Sequence, residues 1–399
     1  MTTLSLETHR QHFPALANKA YFNYGGQGPL PQVSMDAIVQ GYNYVQCHGP
    51  FSGKIGHWQQ QEISLTRHLV ATELGIPPET LTFTENVTVG CNIALWGIDW
   101  RSGDHLLISD CEHPGIIATV QELQRRFNLE VSFFPLRETL NQGDPVVMIS
   151  EYLKPHTRLL VISHILWNTG QLLPLSEIVN LCHQNYNTKV LVDAAQSVGV
   201  LPLQLTETGV DFYAFTGHKW LCGPDGLGGL YVSAESLSEL SPTFIGWRSI
   251  ISDELGKPIA WTPDGRRYEV ATSASPLYAA LRDAIALHHQ WGTATERYQQ
   301  ICQNSQYLWQ KLSKIPQIQC LRTSPPEAGL VSFQLSDGKS HKSLVNALEN
   351  RGIFLRTLLD PNCVRACVHY FTRPSEIDQL IETLNEFLYS REQGGKEFS

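Results

Sequence analysis

The sequence predicts an α/β protein: a mostly parallel sheet covered on both faces, followed by a smaller α+β unit. Three observations lead there. Between residues 104 and 232, short apolar runs alternate with amphipathic stretches. The runs are continuous, as in RLLVIS and KVLVD, which is the pattern of strands buried on both faces. Beyond residue 312 the segments become shorter and mixed, as a second layer requires.

Taken in order, strands are expected at 105–109, 131–136, 158–163, 189–193, 212–215 and 229–232. Helices fit at 115–127 and 175–184, with a shorter turn near Thr206. Residues 241–264 carry Pro, Gly, Trp and Asp without a period and read as a long loop, a feature that is often functional. Residues 276–312 read as helix, whole or interrupted. Segments 330–335, 342–350, 353–358, 364–370 and 376–389 make the small α+β layer, and 391–399 a frayed tail. The expected division is a large domain over 15–260 and a small one from 1–14 with 261–399.

Composition narrows the function. Of 399 residues only 17% are charged, against about 25% in ordinary domains, and the net charge is −9. No basic block is present, so nucleic acid is not an expected partner. No apolar stretch approaches the ~20 residues of a membrane span, so no membrane is expected either. The nine cysteines are an odd number in a large chain without a secretory signal, which points to reduced thiols and a cytoplasmic setting.

The chemistry concentrates in residues 190–229. Asp193 closes an apolar strand and is followed by Ala194-Ala195-Gln196-Ser197. One strand later comes Thr216-Gly217-His218-Lys219-Trp220-Leu221-Cys222-Gly223-Pro224. Taken alone, Lys219 is a surface lysine and Asp193 a helix cap. Among apolar neighbours, however, a lysine gives up its proton readily and can bond an aldehyde carbon. Side chains at the carboxyl ends of neighbouring strands meet in one cleft. A lysine for an aldehyde and a carboxylate for a pyridinium nitrogen are what pyridoxal 5'-phosphate (PLP) needs.

The runs 193–197 (DAAQS) and 214–224 (AFTGHKWLCGP) resemble the signature of the class V aminotransferase family. These are fold-type I PLP enzymes that include cysteine desulfurases, kynureninases and C–S lyases. Segments 84–90, 112–114, 267–272 and 365–372 resemble further family elements in the same order, and the likeness extends from about Tyr21 to Leu388. The resemblance implies the PLP-dependent transferase fold type I, with a mostly parallel seven-stranded sheet and a smaller α+β C-terminal domain. It also implies a homodimer with active sites at the interface. Lys219 becomes the cofactor lysine and general base, Asp193 the partner of the ring nitrogen, and His113 the residue stacked on the ring. Val87 and Thr88 would hold the phosphate at a helix start, where free N–H groups and the dipole favour an anion. Gln196 would reach the ring hydroxyl, Thr216 and His218 would flank the lysine near the phosphate, and Thr272 would serve the partner subunit's phosphate. Many relatives carry asparagine where Trp167 stands, with Asn168 next, so that contact is left unassigned.

Arg365 is expected to bind the substrate carboxylate, since a guanidinium makes two parallel charge-assisted hydrogen bonds. Arg356 resembles a second arginine of the desulfurases, with a structural ion pair as its alternative. Two arginines facing one pocket suit a substrate with two carboxylates, such as cystine. Desulfurases form a persulfide on a loop cysteine about five residues beyond that second arginine, where this chain has Pro361. Nearby Cys363 is expected to be packed. The glycine-rich 24–31 segment, with Gly26, and the long 244–264 loop, with Trp247 lining a substrate channel, look closer to C–S lyases. The expected activity is β-elimination of L-cystine or L-cysteine to pyruvate, ammonia and cysteine persulfide or sulfide. An iron–sulfur acceptor protein is a candidate recipient of the sulfur. Cysteine desulfurase and an epimerase- or transaminase-like enzyme are the alternatives. A nicotinamide oxidoreductase is disfavoured, because the glycines at 223–229 run into a strand instead of a helix. A scaffold without catalysis is disfavoured by the intact Asp193, Lys219 and Arg365. Cys363, Cys367 and His369, or Cys111 and His113, lack zinc-site spacing, and no metal is expected.

Overall fold

The structure, a computed structural model, describes residues 5–389; the tail expected at 391–399 lies outside them. Seven strands build the large sheet: β1 (Leu81–Thr84), β2 (His105–Ser109), β3 (Glu130–Phe134), β4 (Thr157–Ser163), β5 (Lys189–Asp193), β6 (Phe212–Thr216) and β7 (Gly228–Val232). Their order is β1-β7-β6-β5-β4-β2-β3. Strands β2 to β6 pair in parallel, and β7 is antiparallel to both β6 and β1. Six of the seven are legible as apolar runs. The seventh, β1, is only four residues and leads straight into the 84–90 motif.

Both faces of β2 and β4 to β7 are buried, which is why their runs are continuous, while edge strand β3 keeps Glu130 and Phe133 exposed. Leu107, Leu160, Ile162, Val190 and Val192 enter one core, while Leu106, Ile108, Leu159, Val161 and Leu191 enter the other. Alternate residues of each strand thus serve opposite faces. Helices Val87–Gly97 and Pro114–Phe127 contribute to the second core, and Leu175–Tyr186 to the first. Asn86 caps the first of these helices, its side chain accepting from Val89 N at 3.0 Å. His113 and Pro114 open the second, with His113 Nδ1 accepting from Gly115 N at 3.2 Å.

The expected 241–264 loop holds an antiparallel hairpin, β8 (Ile250–Ser252) with β9 (Pro258–Trp261). Strands of three and four residues are too short for a period to register in sequence. The expected 276–312 helix is interrupted: Pro276–Trp291 ends at Gly292, and Ala294–Leu312 restarts with a capping box between Thr293 and Glu296.

The C-terminal sheet comprises β10 (Ile318–Cys320), β11 (Leu330–Leu335), β12 (Arg356–Leu359) and β13 (Asn362–Cys367), in the order β10-β11-β13-β12, all antiparallel. The single segment expected at 353–358 divides at buried Leu355. Ile353–Phe354 pairs with Ala20–Tyr21, and Arg356 onward pairs with β13. The segment expected at 364–370 leaves the sheet after Cys367, so that His369, Tyr370 and Phe371 turn into the interior. No helix among the described residues is long and apolar enough to cross a membrane.

Glu269 ties three elements together. Its Oε1 accepts from Arg67 at 2.5 Å and from Phe83 N at 3.0 Å, and its Oε2 from Arg248 at 2.7 Å, all at a buried position. Replacing it takes the shared carboxylate from buried Arg67 and from half-buried Arg248. Glu269→Ala should therefore lower the unfolding free energy by about 3–5 kcal/mol, measured by urea denaturation.

Candidate active site

Parallel strands deliver their carboxyl ends to one edge, where open α/β sheets place ligands. Ser109, Ser163, Asp193 and Thr216 end β2, β4, β5 and β6 there, and Ser163, Asp193 and Ala214 lie side by side in register. Asp193 is 5% exposed and accepts from Ala195 N at 3.0 Å. Lys219 lies three residues beyond β6 in a tight turn closed by Cys222 N on the Lys219 carbonyl at 3.0 Å. Cys222 holds the left-handed conformation at φ 51°. The glycine-rich N-terminal loop seals this turn, with Gly28 N donating to the His218 carbonyl at 2.7 Å. A Cβ at Gly28 would stand 2.1 Å from the Lys219 carbonyl oxygen, so only glycine allows this approach.

Lys219 is half-buried, and burial pushes its ammonium down to about 8. Asp193 opposes that shift, and Arg365 and Arg356 add to it. The lysine is poised to hold or release a proton near neutrality.

Arg365 sits on β13 with 1% exposure. Its Nη1 donates to the Trp167 carbonyl at 2.8 Å, while Nε and Nη2 have no partner. Those two N–H groups form one edge of the guanidinium, the edge that a carboxylate takes with both oxygens. Arg356 is its direct cross-strand neighbour on β12 and is exposed. Burial, with the charge of Arg365, lowers the pKa of Arg356. Like charges directly opposite destabilise a sheet pair, so this pair favours an anion between or beside them.

The remaining expected residues distribute as follows. Gln196 is buried and engaged at both ends, donating to the Gly25 carbonyl at 2.9 Å and accepting from the Trp220 indole at 2.8 Å. Thr216 Oγ1 and His218 Nδ1 are 2.7 Å apart beside the lysine. His113 is exposed, its ring meeting the Trp167 ring edge-on at 5.7 Å, and burial lowers its pKa. Gly26 is half-buried, with no room for a side chain beside Asn23. Val87 is buried and Thr88 half-buried in the first turn of their helix. Thr88 shares with exposed Thr272 the wall of a cavity of about 1090 Å³, which Lys219 does not line. Trp247 is 66% exposed and stands away from that wall. Cys363 and Cys367 are both buried and free, and burial pushes the Cys363 thiol up to about 11.

Three residues without an assigned role belong to the same place. Trp167 touches both Arg365 and His113, and its indole N–H donates to the Cys111 carbonyl at 3.0 Å. Asn168 is buried with Oδ1 unpartnered. Glu112 joins the ends of β2 and β4, accepting from Ser109 Oγ at 2.5 Å, Ser163 N at 2.9 Å and Ser163 Oγ at 2.7 Å. Burial pushes its carboxyl up to about 8. Its position directly before His113 was the one signal in the sequence.

The residues fit PLP. A desolvated amine lies within electrostatic reach of buried Asp193, Arg365 Nε and Nη2 and Asn168 Oδ1 are buried without partners, and Gly25 packs its backbone closely against the same group. A Cβ on Gly25 would meet Cys367 Sγ and Gln196 Oε1 at 3.0 Å and Arg365 Cζ at 3.1 Å.

The chain belongs to the class-V aminotransferase family, whose pattern residues 20–379 match. Its architecture is that of fold-type I PLP enzymes. Two structures of C-DES are 51% identical to it. One is a lysine-to-alanine mutant with glycine covalently linked to the PLP cofactor, covering 94% of this chain and 98% of that one at a TM-score of 0.92. The other is the cystine C–S lyase in complex with its reaction product cysteine persulfide, covering 93% and 98% at 0.91. A cysteine desulfurase of Escherichia coli O127:H6 is 29% identical over 388 residues, 94% of this chain and 92% of its own length. The Escherichia coli desulfurase CsdA shares the fold at a TM-score of 0.85 and 22% identity, over 97% of this chain and 99% of its own.

The depressed lysine sets a pH dependence. In the cofactor-free protein, acetylation of Lys219 by trace acetic anhydride should rise with pH and level off above about 8, because the amine loses its proton there. An exposed lysine keeps rising to about 10.4. Peptide mapping of the acetylated lysine gives the midpoint, and a midpoint near 10 would remove the desolvation argument.

Proposed function

We propose that this protein is a PLP-dependent carbon–sulfur lyase that cleaves L-cystine, and L-cysteine more weakly, by β-elimination. The observation that carries this reading is the hairpin of β12 and β13. It sets Arg356 opposite Arg365, and its turn consists of Asp360 and Pro361 alone. Two arginines match the two carboxylates of cystine. A two-residue turn offers no mobile cysteine, so the sulfur leaves on a small molecule. The turn is also anchored: Arg137 donates to both carboxylate oxygens of Asp360, at 2.8 and 2.9 Å.

PLP, when bound, supplies an aldehyde for the substrate amine and a ring that withdraws electrons from the α-carbon. Lys219, Asp193, Gln196, Thr216, His218, Val87 and Thr88 would hold it, with His113 against its ring. Arg365 fixes the α-carboxylate through Nε and Nη2, and so fixes which substrate hydrogen faces Lys219. Lys219, with a pKa near 8, takes that α-proton as general base. Asp193 would pair with the ring nitrogen of the bound cofactor. Arg356 receives the distal carboxylate, which a single cysteine lacks. Loss of the Cβ–S bond then releases cysteine persulfide from cystine, or sulfide from cysteine, and the three-carbon remainder hydrolyses to pyruvate and ammonia.

A second copy of the chain completes the site in this reading. The cavity beside Thr88 and Thr272 is open and partly apolar, and Phe244, Ile245, Trp247, Leu255 and Ile259 stand exposed around or beyond it. Such a surface is what a symmetric dimer covers. Trp247 on this segment would then meet the partner's cleft. A cytoplasmic setting fits the nine free thiols.

Purified protein given cystine should form pyruvate and cysteine persulfide. Alanine with an enzyme-bound persulfide would replace the lyase reading with a desulfurase. Lys219→Ala should abolish turnover. Arg356→Ala should raise KM for cystine roughly tenfold or more, the worth of a charge-assisted hydrogen bond. The same change should leave KM for cysteine within about twofold, because only cystine has a distal carboxylate. Equal losses for both substrates would assign Arg356 to structure alone.

A further inference from the structure

Behind the lysine turn lies a buried cluster that the reaction above does not use: His9, His288, His369 and Tyr370. Two contacts reach the turn itself. His288 Nε2 lies 2.8 Å from the Leu221 carbonyl, and His369 Nε2 lies 3.0 Å from the Trp220 carbonyl. These are the carbonyls of the two residues that follow Lys219.

Elementary hydrogen-bond logic fixes every proton in the cluster. A carbonyl only accepts, so His288 carries its proton on Nε2 and leaves Nδ1 bare. Tyr370 Oη, 2.6 Å away, must then donate to that Nδ1. The same oxygen lies 2.7 Å from His9 Nε2, which must donate to it. His9 Nδ1 is then bare, and it is indeed buried without a partner. The second branch obeys the same rule. His369 donates from Nε2, and its Nδ1 accepts from Tyr370 N at 3.0 Å. The two branches meet at Tyr370, one through its hydroxyl and one through its amide.

All three rings are held neutral. Burial lowers His9 and His369 to about 3 and His288 well below its ordinary value, and Arg297 disfavours a further positive charge on each. Aromatic packing keeps the rings in plane: His288 and His369 stack at 5.7 Å, and Phe371 stacks on His369 at 4.3 Å. His9 belongs to the helix Leu6–Gln11, which Arg10 anchors to the Phe371 carbonyl and Glu376, both at 2.6 Å.

We propose that His288 and His369 are positioning residues for Lys219, locked in one tautomer by Tyr370 and His9, so that the N-terminal helix sets where the reactive amine stands. A turn of two carbonyls gripped by neutral donors cannot rotate without leaving both unbonded in a dry interior. A misplacement of 1 Å at a reacting group costs about 10²-fold in rate. The proposal rests on the reading of Lys219 as the cofactor lysine, and its test separates the two.

Tyr370→Phe keeps the ring but removes the hydroxyl that orders the His9–His288 branch. In the dimeric holoenzyme this variant should lower kcat for cystine roughly tenfold or more, with KM changed less than about twofold, since Arg365 and Arg356 are untouched. It should also move the pH midpoint at which the cofactor–lysine absorbance band changes, a readout independent of turnover. His288→Gln, whose amide can still donate to the Leu221 carbonyl, should restore more of kcat and of the midpoint than His288→Leu at equal melting temperature. Unchanged kcat and an unchanged band in soluble, folded Tyr370→Phe would overturn the proposal. So would equal defects in His288→Gln and His288→Leu. A wild-type protein without any cofactor band would overturn the reading of Lys219 and the proposal with it. A normal band with no pyruvate from cystine would sink only the substrate assignment and leave the band shift as the deciding measurement.

Discussion

Arg365 keeps two N–H groups of a fully buried guanidinium unbonded, and much of the cleft is arranged around that state. Burying an ion costs several kcal/mol even after relaxation. The cost is tolerated because β13 is flanked on both sides, by β11 and by β12, and cannot swing the side chain into water. One N–H is taken by the Trp167 carbonyl, which fixes the plane of the guanidinium and presents the free edge. A carboxylate that arrives there recovers two charge-assisted hydrogen bonds and cancels a charge. The binding preference of the site follows from what the empty edge lacks.

The same charge reaches the lysine. Arg365 and Arg356 both favour a neutral Lys219, Asp193 favours a charged one, and burial tips the outcome downward. A substrate carboxylate on Arg365 screens part of that positive field. In the proposed reaction the proton affinity of the lysine would therefore rise as substrate arrives, which suits a base about to receive a proton. Arg365 and Lys219 are thus coupled through space, while Gly28 N and the two histidines bond the carbonyls on either side of the lysine, at His218, Trp220 and Leu221. Geometry is set by neutral hydrogen bonds, and reactivity by charges whose effect depends on where those bonds hold the amine.

How much of this was legible in the sequence depended on how local each signal was. Continuous apolar runs revealed β2 and β4 to β7, because burial on both faces leaves few polar positions, and edge strand β3 showed through its apolar residues although Glu130 and Phe133 are exposed. Asp193, Lys219 and Arg365 were legible because each stands in a run of distinctive neighbours. The hairpin inside 241–264 was missed because three- and four-residue strands with exposed side chains carry no burial pattern. The division at Leu355 was missed because an apolar run does not reveal which neighbour each half will pair with. Trp167, Glu112 and His288 were hidden for a different reason. Their roles lie in contacts 51 to 198 residues away in sequence, and a tryptophan, a glutamate and a histidine are unremarkable residues until the chain folds.

The Asp360–Pro361 turn shows how a short stretch of chain can decide between chemistries on one fold. A desulfurase needs a thiol that travels from solvent to the substrate sulfur and back, which requires a loop with few anchors. Here β12 and β13 stay paired up to the Leu359 and Asn362 positions, and Arg137 clamps Asp360 from the large sheet's side. The nearby thiol, Cys363, points into a packed interior where burial keeps it protonated, and a protonated thiol is a poor nucleophile. With no cysteine on this turn, cleavage at Cβ in the proposed reaction is complete only when a small molecule carries the sulfur away. Cystine suits that requirement better than cysteine, because its leaving group spreads negative charge over two sulfur atoms. The same hairpin thus withholds a protein thiol and sets Arg356 opposite Arg365, the pair on which the proposed choice of a disulfide substrate rests.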